Sequence, residues 1–247
     1  MIIHRIIFIQ VLNLVALTCW SQQIIVPKKN VAEKKWVHDQ SYQMNWTMLR
    51  DTARYEIGTV NISVEVSKKT ALIVTEVKIK SAPSRWVDST IVQKADLSPV
   101  YHSSYNAQRD MALHFGKDVS GFYRDKKTGE TTRIAQEVKP GYFDSNFYPM
   151  LINWLPLNAN LKADINIYDY NPNGKTGMLK AKIVGVTQGS YQSSKSGEIK
   201  VWVVEVSDEI GGVNGSTTIS YIDQLTRKTY KQYISAGGRK MEMTLVE

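Results

Sequence analysis

Residues 55–80 read YEIGTVNISVEVSKKTALIVTEVKIK, and the period of that stretch is two. Val60, Ile62, Val64 and Val66 point one way, with Asn61, Ser63 and Glu65 between them. Ile57 falls on the other parity, and Gly58 stands at the switch, where a bulge belongs. Ser67 to Thr70 reads as a hairpin turn. Ile73, Thr75, Val77 and Ile79 then alternate with Val74, Glu76, Lys78 and Lys80. The stretch is a half-buried antiparallel pair.

The same pattern extends in both directions. Tyr42, Met44, Trp46 and Met48 alternate and suggest an earlier strand. Downstream, 85–93, 100–105, 111–115, 121–125 and 131–137 are strand candidates, followed by 161–170, 177–187, 198–207, 216–223, 229–235 and 239–246. Short, turn-rich links join them. The expected fold is mainly β: a curved antiparallel sheet or incomplete β-barrel of about ten strands.

One segment breaks the period. Phe147, Leu151, Trp154 and Leu155 recur at helical spacing, which predicts one buried helix near 145–155. Asp144, Ser145 and Asn146 offer caps, Pro149 fits a first turn, and Pro156 ends the run. Burying four such side chains is worth ~1.5–3 kcal/mol each before entropy. The helix is therefore a filler for the concave face of the sheet, or the wall of an apolar cavity there.

The chain has 247 residues, 43% hydrophobic and 22% charged, with 15 Gly, 7 Pro and one Cys. That composition excludes a collagen-like, low-complexity or disulfide-scaffold protein. Met1 to Arg5 is short and basic at its end, and residues 6–20 are largely apolar. Small residues stand at Cys19 and Ser21, at positions −3 and −1 of a cleavage point after Ser21, so 1–21 reads as a secretory signal peptide. The run is shorter than the ~20 apolar residues of a membrane span and carries Gln10 and Asn13. Residues 22–54 then form an N-terminal arm and 55–247 a single β-barrel-like domain. The mature chain would hold no cysteine, hence no disulfide, thiol nucleophile or Cys-ligated metal. The expected location is periplasmic or secreted, with no transmembrane segment after cleavage.

The run Tyr142-Phe143-Asp144-Ser145-Asn146-Phe147-Tyr148-Pro149, with Leu155-Pro156-Leu157, resembles a segment in a family of bacterial envelope proteins of unknown function. So does Ala95-Asp96-Leu97-Ser98-Pro99. The C-terminal hairpin from Tyr221-Ile222-Asp223 to Met243 looks like that family's closing element. The resemblance covers Tyr55 to Glu247. Its members are similar in architecture to the lipoprotein-localisation factors, whose incomplete β-barrel curls round helices and holds acyl chains. The resemblance thus implies lipid binding, and it brings no catalytic residues. This chain shows one clear helix where those carriers use more.

Motifs for chemistry are sparse. Asn173-Gly174-Lys175-Thr176 ends like a phosphate-binding loop, but Asp169 stands where that loop needs a glycine, so it reads as a hairpin turn. His38, His102 and His114 lack the spacing of a zinc protease. Gly-x-Ser-x-Gly is absent. A hydrolase would have to use His102, Asp110 or His114 brought together across strands. No cofactor, metal or catalytic residue is assigned. Lys68-Lys69 and Lys126-Lys127 fall in turns, where they are solvated or attract anionic head groups. The net charge of +8 does not indicate nucleic acid in an exported chain without a recognition motif.

The expected function is that of an exported, non-enzymatic envelope protein. Its partner is a lipid or other apolar ligand held between sheet and helix, or an envelope protein; the alternative is a ligand-free structural or assembly factor. Phe147, Met150, Leu151 and Trp154 are the expected ligand-binding residues of the helix, and Trp86 and Trp202 those of the sheet. On that reading Trp154→Ala costs less than the ~3–5 kcal/mol of a fully packed core tryptophan.

Overall fold

The alternation seen in 55–80 governs the whole molecule. The computed structural model describes residues 23–82, 85–210 and 215–247. The expected leader, with its cleavage point after Ser21, lies outside the described residues. Among these residues sixteen strands form one sheet. They are β1 (Gln23–Ile25), β2 (Gln40–Arg50), β3 (Ala53–Val66), β4 (Thr70–Ile79), β5 (Trp86–Gln93), β6 (Pro99–Tyr105), β7 (Arg109–Phe115) and β8 (Asp118–Asp125). Then come β9 (Thr131–Glu137), β10 (Phe143–Asp144), β11 (Ala163–Asp169), β12 (Gly177–Ser193), β13 (Gly197–Asp208), β14 (Ser216–Asp223), β15 (Thr229–Ala236) and β16 (Arg239–Leu245). The helix α1 (Tyr148–Trp154) lies between β10 and β11.

The mainly β class with one helix agrees with expectation, whereas about ten strands was an undercount. The fourteen alternating segments picked out in the sequence each form a strand, and β1 and β10, with three and two residues, are too short to display a period. The arm also contributes to the sheet. β2 pairs with β3 on one side and β16 on the other, so it bridges the two ends of the chain. All pairings are antiparallel except that β1 and β10 both run parallel to β11.

The bulge expected at Gly58 is present. Trp46 pairs with Gly58 and Thr47 with Glu56, which leaves Ile57 as the extra residue. A Cβ on Gly58 would lie 2.0 Å from the Lys78 carbonyl oxygen, so the strands can approach here only over a glycine.

Inward-facing Val60, Ile62, Val64, Ile73 and Val77 join Met44, Phe147, Leu151, Trp154 and Leu155 in the main core. The far end of the sheet is covered on both faces. Phe143 pairs with Ile167, and both enter that main core. Their neighbours in the ladder look the other way: Tyr142, Tyr168 and Tyr170 pack on Met111, Leu113, Val119, Tyr123 and Ile134 of β7–β9. The sheet is therefore open but rolled, with β10 and β11 tucked against the inner face of the opposite end. Rings close the seam in place of a hydrogen-bonded ladder. Phe115 and Tyr123 lie 5.9 Å and 6.0 Å from Tyr168 and Tyr170 respectively, centroid to centroid.

α1 is short because Pro149 sets its first turn and Pro156 stands two residues past its end, after the C-cap Leu155. The expected caps do not cap. Phe147 occupies the N-cap position, and no side chain bonds the helix N-terminus. Asp144, Ser145 and Asn146 instead reach across to the sheet, as described below. No helix is long and apolar enough to cross a membrane among the described residues.

Candidate functional site

A cleft of about 210 Å³ opens between α1 and the concave face of the sheet. Tyr42, Met44, Val60, Ile62 and Ile73 of β2–β4 form one wall. Asn146, Pro149, Met150 and Asn153 form the helix side, and Thr229, Gln232 and Met243 the third. The parity of β2 and β3 places the first group there, because successive side chains alternate across the sheet. A cavity of ~150 Å³ holds a benzene-sized molecule and pockets for drug-sized ligands span ~300–1,000 Å³, so this cleft fits one short apolar segment. Three of its walls carry a methionine, whose flexible thioether adapts to irregular apolar guests.

Polar groups at the cleft are hydrogen-bonded: Asn146 donates to Thr90 at 3.0 Å and Gln232 to Ser220 at 3.1 Å. The Asn153 amide donates to the Thr229 hydroxyl at 3.0 Å. Gln40 donates to the Met150 sulfur at 3.7 Å. Burial pushes the Tyr42 hydroxyl upward, so it stays neutral. The cleft therefore presents no ionised group of its own walls to a guest.

The six residues expected to bind a ligand divide into three groups. Met150 lines the cleft. Phe147, Leu151 and Trp154 are completely buried in the core and do not reach it. The Phe147 and Trp154 rings meet edge to face at 5.5 Å. Trp86 and Trp202 are half-buried against the same core but away from the cleft walls. The remaining wall residues were not singled out, since β2, β3, β4, β15 and β16 each supply only one or two of them. The alternation of Tyr42 with Met44 and of Val60 with Ile62 was the available signal.

A second polar feature lies at the seam. His102 Nδ1 is 2.8 Å from Asp144 Oδ1, with both side chains almost wholly buried. Thr90 donates to the other Asp144 oxygen at 2.6 Å, and Asn146 donates to Thr90 at 3.0 Å. Ser145 donates to Asp169 at 2.7 Å. These are the side chains read as caps, and they tether the start of α1 to β5, β6 and β11. Burial alone would lower the His102 imidazole. The Asp144 carboxylate, helped by Asp88 and Asp169, outweighs it and holds His102 above its ordinary value.

The residues expected for a hydrolase are not brought together. His102 faces inward, whereas His114 is exposed on the opposite face, its ring 5.1 Å from Tyr101. Asp110 is paired with Lys126 at 2.7 Å. Neighbouring residues of a strand point to opposite faces, and the spacing of His102 against its cross-strand partner Leu113 separates it from His114. Among the described residues no three His, Cys, Asp or Glu side chains form a group that could hold a metal. Asn171 to Gly174 form the turn before β12, as the missing glycine implied.

Residues 41–244 match the family described as "Protein of unknown function (DUF3108)". No curated protein matches the chain. Among solved structures, the chain is similar to the crystal structure of a β-barrel-like protein of domain of unknown function DUF1849 from Brucella abortus. The TM-score is 0.54 at 11% identity, over 85% of this chain and 97% of that one. That likeness is one of fold alone.

Proposed function

Because the chain belongs to this family of proteins of unknown function, we propose a reading taken from the site itself: an exported, non-enzymatic envelope protein that takes an apolar chain into the cleft beside α1. The observation that carries the proposal is the cleft, with its methionine-bearing walls and no ionised lining group. The tripartite pattern of 1–21 supports export. The motif resemblance to envelope proteins built like the lipoprotein-localisation factors supports a lipid as the guest. The size of the cleft restricts what enters to one segment of such a chain, with the remainder outside.

A fluorescent fatty acid titrated into the protein tests this reading. Saturable binding is expected. Val60→Phe places a ring in the cleft and should weaken it at least about tenfold, the equivalent of losing roughly 1.4 kcal/mol of contact. Absence of binding by the wild-type protein would overturn the proposal. The second reading, a ligand-free structural or assembly factor, would then stand, favoured by the complete burial of Phe147, Leu151 and Trp154.

A further inference from the structure

The N-terminal arm makes a second concave surface, at the end of the roll where β5 and β14 finish. A groove of about 550 Å³ runs between residues 28–37 and the β5–β6 turn. Lys28, Lys29, Lys34 and Lys94 line it, all exposed, over a floor that includes buried Val31 and Leu97. Some lysines elsewhere sit on carboxylates, as Lys80 does on Glu56 at 3.1 Å and Lys231 on Glu242 at 2.9 Å. None of the four groove lysines has such a partner among the described residues. The groove's own acid, Asp96, is occupied: it accepts from the Ser98 amide at 3.0 Å and the Ser98 hydroxyl at 2.7 Å. The hairpin tip bearing Lys68 and Lys69 abuts the same turn, since the Lys94 amide donates to the Lys69 carbonyl at 2.8 Å.

The conformation of the groove is held at a cost. Asn30 and Leu97, both lining it, have φ of 60° and 63°. An asparagine tolerates the left-handed region, but a leucine there is unusual and persists only where its surroundings fix it. On the other side of the arm, Arg227 Nη2 lies 3.6 Å from Glu33 and its guanidinium 5.2 Å from the Trp36 ring. The same β14–β15 turn carries Leu225, an apolar side chain 83% exposed at the tip. One end of the molecule thus presents unpaired lysines and an outward-pointing leucine together.

We propose that this end docks on a membrane surface, with the lysine groove taking the phosphate-bearing head group of an anionic phospholipid and Leu225 entering the interface. Lysines beside an anionic surface attract it, and an exposed leucine gains by leaving water. A free phosphate ion would use the lysines but has no use for Leu225, which is why the membrane is the source favoured here. The inference does not rest on the cleft beside α1.

Co-sedimentation of the full chain with vesicles tests it. Vesicles of phosphatidylglycerol mixed with phosphatidylcholine are compared with phosphatidylcholine alone; the second set measures what Leu225 and the apolar N-terminal stretch contribute without anionic charge. Stronger binding to the anionic vesicles is expected. Replacing Lys28, Lys29, Lys34 and Lys94 together by Gln should weaken it by about tenfold to several hundredfold, given up to roughly fivefold for each lysine at an anionic surface. Leu225→Ser should weaken it several-fold with the charge unchanged. A control replacing Lys127, Lys175, Lys182 and Lys240 by Gln removes equal charge elsewhere and should retain most of the binding. Equal binding to both vesicle types, equal loss in both quadruple variants, or full competition by inorganic phosphate at constant ionic strength would each overturn the proposal. Val60→Phe should bind the vesicles as the wild type does, so failure of this inference and failure of the cleft reading give different results.

Discussion

His102 keeps its proton more firmly than a histidine in water. Burial opposes the charge, and the Asp144 carboxylate at 2.8 Å, backed by Asp88 and Asp169, more than offsets that. A raised folded value means that the charged imidazole favours the folded state. This contribution is complete below the unfolded value of about 6.5 and is lost as pH rises through the raised folded value. Urea unfolding from pH 6 to pH 9 should therefore show the wild type losing stability toward the alkaline end. His102→Gln, which cannot take a charge, should lack that part of the slope; identical slopes would remove His102 as its origin. The signal for this residue was poorly legible in the sequence. Asp144, Ser145 and Asn146 precede an apolar helical run, which is the pattern of a cap. Their actual partners lie 42, 24 and 56 positions away, separations that local spacing does not encode.

At the scale of elements, the sequence spoke more clearly. Strict alternation in β3 and β4 fixed their inward residues, and Gly58 marked the bulge because no other residue fits against the Lys78 carbonyl. The helix was legible from its spacing and its two prolines. Which of its faces meets the cleft was not, because a helix apolar nearly all round has no face that names its neighbour. The structure turns Pro149, Met150 and Asn153 to the cleft and seals Trp154 away from it. Trp154→Ala is accordingly expected to cost the full ~3–5 kcal/mol of a packed core aromatic, more than the partial cost expected of a cavity wall. Thermal or denaturant unfolding reads this directly, and a loss well below that range would place the indole beside empty space.

The whole molecule is a sheet whose ends overlap. A closed barrel satisfies its edges by hydrogen bonding strand to strand. Here β10 and β11 are instead covered on both faces, and tyrosine rings with the His102–Asp144 pair hold the seam. The roll leaves the concave face to be filled by α1, and a seven-residue helix fills it incompletely. The cleft is what remains. It draws on strands from both ends of the chain, which is why a curved sheet round a helix could be read from the sequence while the identity of the walls could not.

The central claim is that an apolar chain enters this cleft, and its walls contain their own reporters. Of the eight methionines in the chain, Met44, Met150 and Met243 line the cleft, while Met111 is buried in the separate tyrosine-rich cluster and Met178 is exposed. Methionine methyl groups labelled with carbon-13 and followed by NMR during titration with a medium-chain fatty acid measure entry directly. The account predicts saturable shifts of Met44, Met150 and Met243 together, with Met111 and Met178 unmoved. Shifts confined to Met178, or no shift at the three cleft methyls at saturating ligand, would contradict it.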